Sequence, residues 1–128
     1  MTKVYDCYWH GRSNASYTFE VYLIGQEFRP VAGVYVLATV VPVTGGVYVK
    51  PLYVGETQSF YDRLNANARN HDGFKRALAL GATHVAVRGC NDVRERLAIE
   101  TDLRHGLNPP CNAEPVPTNA LVRTTLRI

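Results

Sequence analysis

Two tyrosines and an arginine stand at positions from which their side chains could act together on a phosphate ester. The stretch "PLYVGETQSFYDRL", residues 51–64, begins with a β-rich pattern, ends with a helical one, and contains Tyr53 and Arg63. A second small–apolar–Tyr unit, "GVYVL", is centred on Tyr35, 18 residues before Tyr53. Planar guanidinium donors suit phosphate oxygens, and a tyrosine hydroxyl can accept or relay a proton when a nearby cation lowers its pKa. The chain has eight tyrosines, however, so a structural role for both is the alternative.

A carboxylate stands among the apolar positions of the helix that is predicted over residues 92–105. At about 100° per residue, Glu100 falls inside the arc that contains Val93 and Leu97. A buried carboxylate is costly unless it is paired or bound to a cation. Two interpretations therefore stay open for Glu100. It is either half of a structural ion pair with an arginine, or a ligand to Mg²⁺, which keeps much of its water and takes few protein ligands.

Polar side chains also lie on the inward face of a helix that is predicted over residues 57–71. With Phe60 as the reference direction, Arg63, Asn67 and His71 fall on or beside the apolar stripe. Taken singly, each is most often a flanking residue whose polar tip reaches solvent. Helix side chains tilt toward the N-terminus, and an unperturbed histidine pKa of about 6.5 suits proton transfer near neutrality. We therefore expect His71 to lean toward the cleft as a proton acceptor. The alternative is a histidine bound to the last carbonyls of its own helix.

A hairpin must position the two tyrosines. Residues 33–41 and 46–55 are β-branched and aromatic, and "PVTGG" between them marks a turn. If Val41 pairs with Val47, Tyr35 lies directly opposite Tyr53 on the same face of the sheet. Pro51 cannot donate to the ladder, so a bulge there could slip this register by one residue.

The remaining segments predict an α/β protein of the α+β type. Strands are expected at residues 16–24 and 83–89, with a candidate final strand at 120–128. A short helix "DGFKRALALGA" should end at Gly81, and Asp92 opens the next helix as a capping residue. The expected fold is one domain, residues 1–128, with a core at about 32–113. It has a small three-stranded antiparallel sheet flanked by helices, a candidate N-terminal strand extension and a C-terminal tail.

Composition and charge favour an intracellular globular domain. The net charge is +3, but residues 1–62 carry a net of −1 and residues 63–128 a net of +4, which is compatible with a polyanionic partner. The three cysteines form no CxxC pair, which fits a reducing compartment and predicts neither a disulfide framework nor a zinc site. The N-terminus lacks the apolar core of a signal peptide, and the longest apolar run is too short to span a bilayer. We expect a cytoplasmic protein.

Taken in order along the chain, these residues resemble the GIY-YIG nuclease family. The matching features span about residues 32–113 and are "GVY" at 33–35, "YVG" at 53–55, Arg63, Glu100, and Asn112 at the end of "NPPCN". A second "GVY", at 46–48, lies too close to Tyr53 to form the opposing strand. The resemblance implies a three-stranded antiparallel sheet flanked by helices, and cleavage of nucleic acid with one divalent metal.

The resemblance also implies roles for individual side chains. Glu100 would bind Mg²⁺ or Mn²⁺, and Arg63 would contact the scissile phosphate. Tyr35 would help to activate the attacking water, and Tyr53 would steady the phosphate or the water.

Further positions match or depart from the family pattern. Gly55 would permit a tight passage from strand to helix, and Asn112 would brace the site. Where relatives carry His or Tyr one turn after the arginine, this chain has Asn67, which contributes no ionisable group, and His71 follows one turn later. Glu56 stands where several relatives have lysine.

Three functional hypotheses follow. The first is a divalent-metal-dependent endonuclease that hydrolyses phosphodiester bonds, with DNA favoured as the substrate. The second is a catalytically weakened GIY-YIG-fold module that binds nucleic acid, and the third is a structural or protein-interaction domain. The expected partner is nucleic acid rather than a membrane, and the sequence makes no prediction of oligomeric state.

Overall fold

One antiparallel sheet of five strands organises the computed structural model, which describes residues 1–112. The strands, in chain order, are β1 (Tyr5–His10), β2 (Ser16–Leu23), β3 (Gly33–Val43), β4 (Gly46–Thr57) and β5 (His84–Gly89). Their order in the sheet is β1–β2–β5–β3–β4. The predicted α+β class is confirmed, but the sheet is larger than the three strands expected, because two N-terminal strands extend it past β5. The candidate strand at 120–128 lies outside the described residues.

The sheet lies between two separate hydrophobic clusters. On one face, Tyr35, Leu37 and Val85 pack with residues from the segment after β4. On the other face, Val34, Val36 and Val54 pack against helix α2 (Val93–Leu107). No helix within residues 1–112 has the length and apolar character needed to cross a membrane.

The register of the β3–β4 hairpin differs from the predicted one. Val41 pairs with Tyr48 rather than Val47, and Tyr35 pairs with Gly55 rather than Tyr53. The register shifts between Leu37, which pairs with Tyr53, and Ala38, which pairs with Pro51, so that Leu52 is an extra residue in β4.

This bulge decides which way Tyr53 points. Successive strand residues face opposite sides of a sheet, so a shift of one residue exchanges the two faces. If the register of the hairpin turn continued without a bulge, Leu52 would pair with Leu37 and Tyr53 with Val36, on the face opposite to Tyr35. With the bulge, Tyr53 is a diagonal neighbour of Tyr35 on the same face. Pro51 accounts for the place of the bulge, because it has no N–H to donate to the ladder.

Residues 57–71 do not form the single helix that was predicted. A π-helical turn (Asp62–Ala66) is followed by a 3₁₀ turn (Ala68–Asn70), and His71 has an extended backbone, with φ −103° and ψ 107°. Helix α1 (Asp72–Ala79) begins only after His71 and is followed by Gly81 at φ +96°. The π-helical turn is anchored to the connection after β2, because the Asn65 side chain accepts from Phe28 N at 2.8 Å and donates to Gln26 O at 2.9 Å.

Helix α2 turns a different face to the core than the wheel predicted. Its buried residues are Arg96, Ile99 and Leu103, whereas Val93 and Leu97 are exposed. The predicted N-cap is confirmed, since the Asp92 carboxylate accepts hydrogen bonds from Arg94 N at 2.9 Å and Glu95 N at 3.0 Å. The helix continues past residue 105 and ends at Leu107, and Asn108, with φ +48°, is its C-cap.

Candidate active site

A direct hydrogen bond joins Tyr35 to His71. The Tyr35 hydroxyl lies 2.7 Å from His71 Nε2, and the two side chains are only 1% and 8% exposed. Tyr53 completes an aromatic group, with its ring centroid 5.1 Å from that of His71 and 6.2 Å from that of Tyr35. The structure thus brings together three of the residues that the sequence selected. It does so through the extended backbone at His71 rather than through a helix face.

Two glycines allow this close packing. A Cβ atom at Gly55 would fall 2.5 Å from the Tyr35 hydroxyl oxygen, and one at Gly73 would fall 2.4 Å from the ring of Tyr53. Gly55 lies within β4 and not at a turn, so its side-chain-free surface makes room for Tyr35. The role expected for it, a tight passage from strand to helix, is therefore wrong. Gly73 was not selected from the sequence.

Burial and neighbouring charges keep both hydrogen-bonded groups uncharged at neutral pH. Burial lowers the pKa of His71 to about 4, and the positive charges of Arg63 and Arg76 contribute to the decrease. Burial raises the pKa of Tyr35 well above its ordinary value and Tyr53 adds to the increase, while Arg63 acts in the opposite direction. In the tautomer that leaves Nε2 unprotonated, the Tyr35 hydroxyl donates to Nε2. The ordinary pKa near 6.5 that was expected for His71 does not apply in the folded protein.

Arg63 borders a small cleft next to this group. The cleft has a volume of about 280 Å³ and is lined by six residues: Thr57, Asp62, Arg63, Asn67, Asn70 and His71. Arg63 is half-buried, and its side chain forms no hydrogen bond or ion pair with any other residue between 1 and 112. Its guanidinium donors therefore remain available to an anion in the cleft. Asn67 lines the cleft with its amide but is exposed, so the inward position that the helical wheel predicted for it is wrong.

Glu100 lies on the other side of the sheet. It belongs to α2, its side chain is 15% exposed, and the guanidinium of Arg104 lies 3.5 Å from it. Among the described residues it forms no hydrogen bond or ion pair with Tyr35, Tyr53 or Arg63, and it does not line the cleft. The ion pair that was one interpretation of Glu100 is therefore present, with Arg104 as the partner.

The surroundings of Glu100 are compatible with a hydrated divalent ion. Burial raises the pKa of Glu100, Arg104 opposes the increase, and the charge of Glu56 adds to it, so a second carboxylate lies nearby. No cluster of three or more His, Cys, Asp or Glu side chains suited to a metal occurs within residues 1–112. One or two carboxylates with water form the kind of donor set that Mg²⁺ accepts.

Asn112 fixes the outer edge of β4 beside the tyrosines. Val54 N donates to Asn112 Oδ1 at 2.7 Å, and Asn112 Nδ2 donates to Val54 O at 2.8 Å. The side-chain amide thus replaces a neighbouring strand at the edge of the sheet. Arg76 holds the same segment, because its Nε and Nη2 donate to the carbonyl of Cys111 at 3.1 and 2.8 Å.

Three arginines in this region were not selected from the sequence. Arg104 pairs with Glu100, Arg76 holds Cys111, and Arg96 forms an ion pair with Glu56. A signal existed for Arg96, which stands four residues before Glu100 and shares the buried face of α2 with Ile99.

Comparison of the chain with models of protein families, with curated protein sequences and with solved structures finds no match.

Proposed function

We propose that this protein is a divalent-metal-dependent endonuclease that hydrolyses phosphodiester bonds, with DNA as the favoured substrate. One observation carries the proposal: the Tyr35–His71 hydrogen bond lies beside a cleft bordered by an arginine that is free to bind a phosphate. Phosphate binding, proton acceptance and charge stabilisation are the requirements of this reaction. The resemblance to the GIY-YIG family, carried by residues 33–35 and 53–55, supports the same assignment.

Arg63 would bind the scissile phosphate in the cleft. As the water attacks, Tyr35 would accept a proton on its hydroxyl oxygen while its own proton passes to Nε2 of His71. A bound phosphate offsets the positive charge of Arg63, which is one cause of the lowered pKa of His71. Substrate binding therefore makes His71 a better proton acceptor. Because Tyr35 is almost fully buried, His71 or Tyr53 must move for water to reach its hydroxyl.

Glu100 would hold Mg²⁺ or Mn²⁺, with Glu56 as the nearby second carboxylate. When bound, such an ion would supply positive charge to a nucleic-acid backbone that crosses this end of the sheet. Arg104 competes for the same carboxylate, so metal binding would require the ion pair to open.

The test is incubation of the protein with plasmid, branched DNA and RNA, with and without Mg²⁺ or Mn²⁺. We expect metal-dependent cleavage that Arg63→Ala slows by about 10²-fold or more, because one transition-state donor is lost. Arg69→Ala is the matched control, since Arg69 is an exposed arginine of the next turn that does not line the cleft. The nuclease assignment fails if none of the three substrates is cut under any of these conditions.

A second candidate function is a nucleic-acid-binding module without cleavage activity. It is favoured by the burial of Tyr35 and by the placement of Glu100 on the other face of the sheet, paired with Arg104. Binding of DNA that depends on Arg63, without cleavage in any metal, would support this candidate over the nuclease.

A further inference from the structure

The turn that carries Arg63 is fastened to the connection between β2 and β3 by a side-chain amide. Asn65, in the same π-helical turn, accepts a hydrogen bond from Phe28 N at 2.8 Å and donates one to Gln26 O at 2.9 Å. Both ends of the amide are therefore used, and both bind the same partner segment. Phe28 is buried and Asn65 is half-buried, so the two bonds are partly shielded from water.

Backbone hydrogen bonds attach the beginning of this segment to the same connection. Phe60 N donates to Val31 O at 2.9 Å, and Tyr61 N donates to Arg29 O at 3.2 Å. Arg63 therefore lies between two points of attachment, the backbone at residues 60–61 and the side chain of residue 65. The second point depends on the identity of one side chain, so a substitution can remove it.

The backbone of Arg63 belongs to a wide turn. Asn67 N donates to Asp62 O at 2.8 Å, and Arg63 N donates to Ser59 O at 3.1 Å. The first of these bonds spans residues 62–67 and encloses Asn65. Arg63 and Asn67 line the cleft, whereas Asn65 does not. Asn65 can therefore act on a ligand in the cleft only through the turn.

We propose that Asn65 is a positioning residue that fixes Arg63 in the orientation from which its guanidinium binds a phosphate in the cleft. The proposal rests on the proposed function for the role of Arg63. A planar guanidinium binds phosphate oxygens through donors in a fixed geometry, so its affinity depends on its orientation. Without the amide, the end of the turn would lose its attachment to the connection, and the guanidinium would sample a wider range of orientations.

The first measurement follows the turn itself and requires no activity. Amide hydrogen exchange in the full chain reports on the bonds that Arg63 N and Asn67 N donate. We expect Asn65→Ala to speed exchange at these two amides by about tenfold or more, because two hydrogen bonds that hold the turn are lost. Gln26→Ala is the matched control and should leave both rates unchanged. It removes a side chain that accepts from Thr2 N, but keeps the backbone carbonyl that Asn65 binds.

The second measurement is a double-mutant cycle on plasmid cleavage, which separates positioning from general stability. We expect Asn65→Ala to slow cleavage by about tenfold or more, because a small displacement of a substrate-binding group is costly to the rate. In the Arg63→Ala background, the same substitution should change the rate by less than about twofold, since the guanidinium that it displaces is absent. A residue with only a structural role would cost the same factor in both backgrounds. Gln26→Ala should leave the rate unchanged in both.

Two results would overturn the proposal. One is amide exchange at Arg63 and Asn67 that is unchanged in Asn65→Ala, and the other is an equal loss of cleavage with and without Arg63. If Asn65→Ala does not fold, Asn65→Ser replaces it in both measurements, because a hydroxyl can retain one of the two bonds.

Failure of the proposed function is distinguishable from failure of this proposal. If the parent cuts nothing, the nuclease assignment fails, and the same cycle is measured on the affinity for a labelled DNA duplex without metal, by fluorescence anisotropy. Loss of affinity in Asn65→Ala that disappears in the Arg63→Ala background would support the positioning role, and an equal loss in both would overturn it. A parent that neither cuts nor binds DNA would overturn both, since Arg63 would then have no phosphate to bind.

Discussion

At the scale of single residues, the candidate chemistry depends on a hydrogen bond between two groups that are both uncharged at neutral pH. Burial and two neighbouring arginines keep His71 neutral, and burial keeps Tyr35 protonated. Neither side chain is therefore a strong base in the resting protein. The pair can take up a proton only when an anion in the cleft offsets Arg63 or when the solvent is acidic.

Replacing His71 tests whether it accepts the proton from Tyr35. We expect His71→Ala to slow cleavage by about 10²-fold or more, the usual contribution of a general base. The kcat/KM profile of the parent should have an acid limb near the folded pKa of about 4, and this limb should be absent from the variant. His84→Ala is the control, because His84 lies outside the site and contacts Thr83. Cleavage by His71→Ala within a few-fold of the parent would assign His71 a structural role only.

The lowered pKa of His71 also predicts how stability depends on pH. The unfolded chain binds a proton at this histidine below about pH 6.5, whereas the folded protein does so only near pH 4. The contribution to stability is therefore complete above pH 6.5 and is lost as the pH falls to about 4. Each unit by which the two pKa values differ corresponds to about 1.4 kcal/mol. Urea unfolding of the parent and of His71→Gln at several pH values checks this, and parallel curves for the two proteins would contradict it.

Replacing Glu100 tests its role as the metal ligand. We expect Glu100→Gln to remain folded and to lose metal-dependent cleavage by about 10³-fold or more, since a metal supplies several kcal/mol of charge stabilisation. If Glu100 only pairs with Arg104, its loss should cost no more than about 1 kcal/mol, as for a partly exposed pair, and cleavage should continue. Glu95→Gln, on the exposed side of the same helix, is the control.

At the scale of elements, the irregular segment between β4 and α1 places the His71 ring against the two tyrosines, which a regular helix could not do. Its π-helical turn carries Arg63, and its 3₁₀ turn leads to the extended backbone of His71. On a continuous helix, His71 would lie two turns beyond Arg63. The change of backbone instead brings its ring against Tyr35 and Tyr53.

Asn112 offers a test of how the edge of β4 is held. In Asn112→Ala, the N–H and C=O of Val54 lose their protein partners, and we expect the free energy of unfolding to fall by about 1–3 kcal/mol. Thermal and urea unfolding measure this, with Asn91→Ala, an exposed amide in the connection before α2, as the control. An unchanged stability would mean that water replaces the side-chain amide at no cost.

The sequence predicted the elements better than their contacts. The hairpin, helices α1 and α2, and the Asp92 cap follow from local patterns, which is why they are confirmed. The position of Tyr53 relative to Tyr35 depends on a bulge beside Pro51, the place where the sequence predicted that the register could slip by one residue. The periodic pattern alone does not say whether such a slip occurs. Likewise, the exposed Val93 and Leu97 and the buried Arg96 depend on which face of α2 meets the sheet, which is decided by tertiary packing.

At the scale of the whole molecule, the sheet separates the two parts of the candidate site. One layer contains Tyr35, His71 and Arg63, and the other contains Glu100. Glu56, at the end of β4, is close enough to both layers for its charge to raise the pKa of Tyr35 and that of Glu100. A substrate that used both parts would have to lie across this end of the sheet. The modest positive charge of residues 63–128 would provide the electrostatic attraction for a polyanion.

This charge balance predicts weak binding to nucleic acid. With a net charge of +3, affinity for a labelled DNA duplex should be low, largely independent of sequence, and strongly reduced by salt. Fluorescence anisotropy over a range of salt concentrations measures the slope, which gives the number of phosphates contacted. Tight, sequence-selective binding at physiological salt would contradict the prediction, and would mean that basic residues contact base edges.

The pairing of β3 makes the two ends of the β3–β4 hairpin unequally tolerant of changes in length. Beyond Ala38, β3 pairs only with β4, so one residue added to or removed from each strand there lengthens or shortens a projecting ribbon and leaves the site in register. Loss of the unpaired Leu52 would remove the bulge and leave Tyr53 opposite Leu37 and Gly55 opposite Tyr35. Loss of Val54 would instead make Tyr53 and Gly55 adjacent in β4, so that they could no longer both lie on the face of Tyr35. Insertions and deletions in descendants of this chain should therefore collect at the tip of the hairpin, in pairs, or at Leu52, while the spacing from Tyr53 to Gly55 stays fixed.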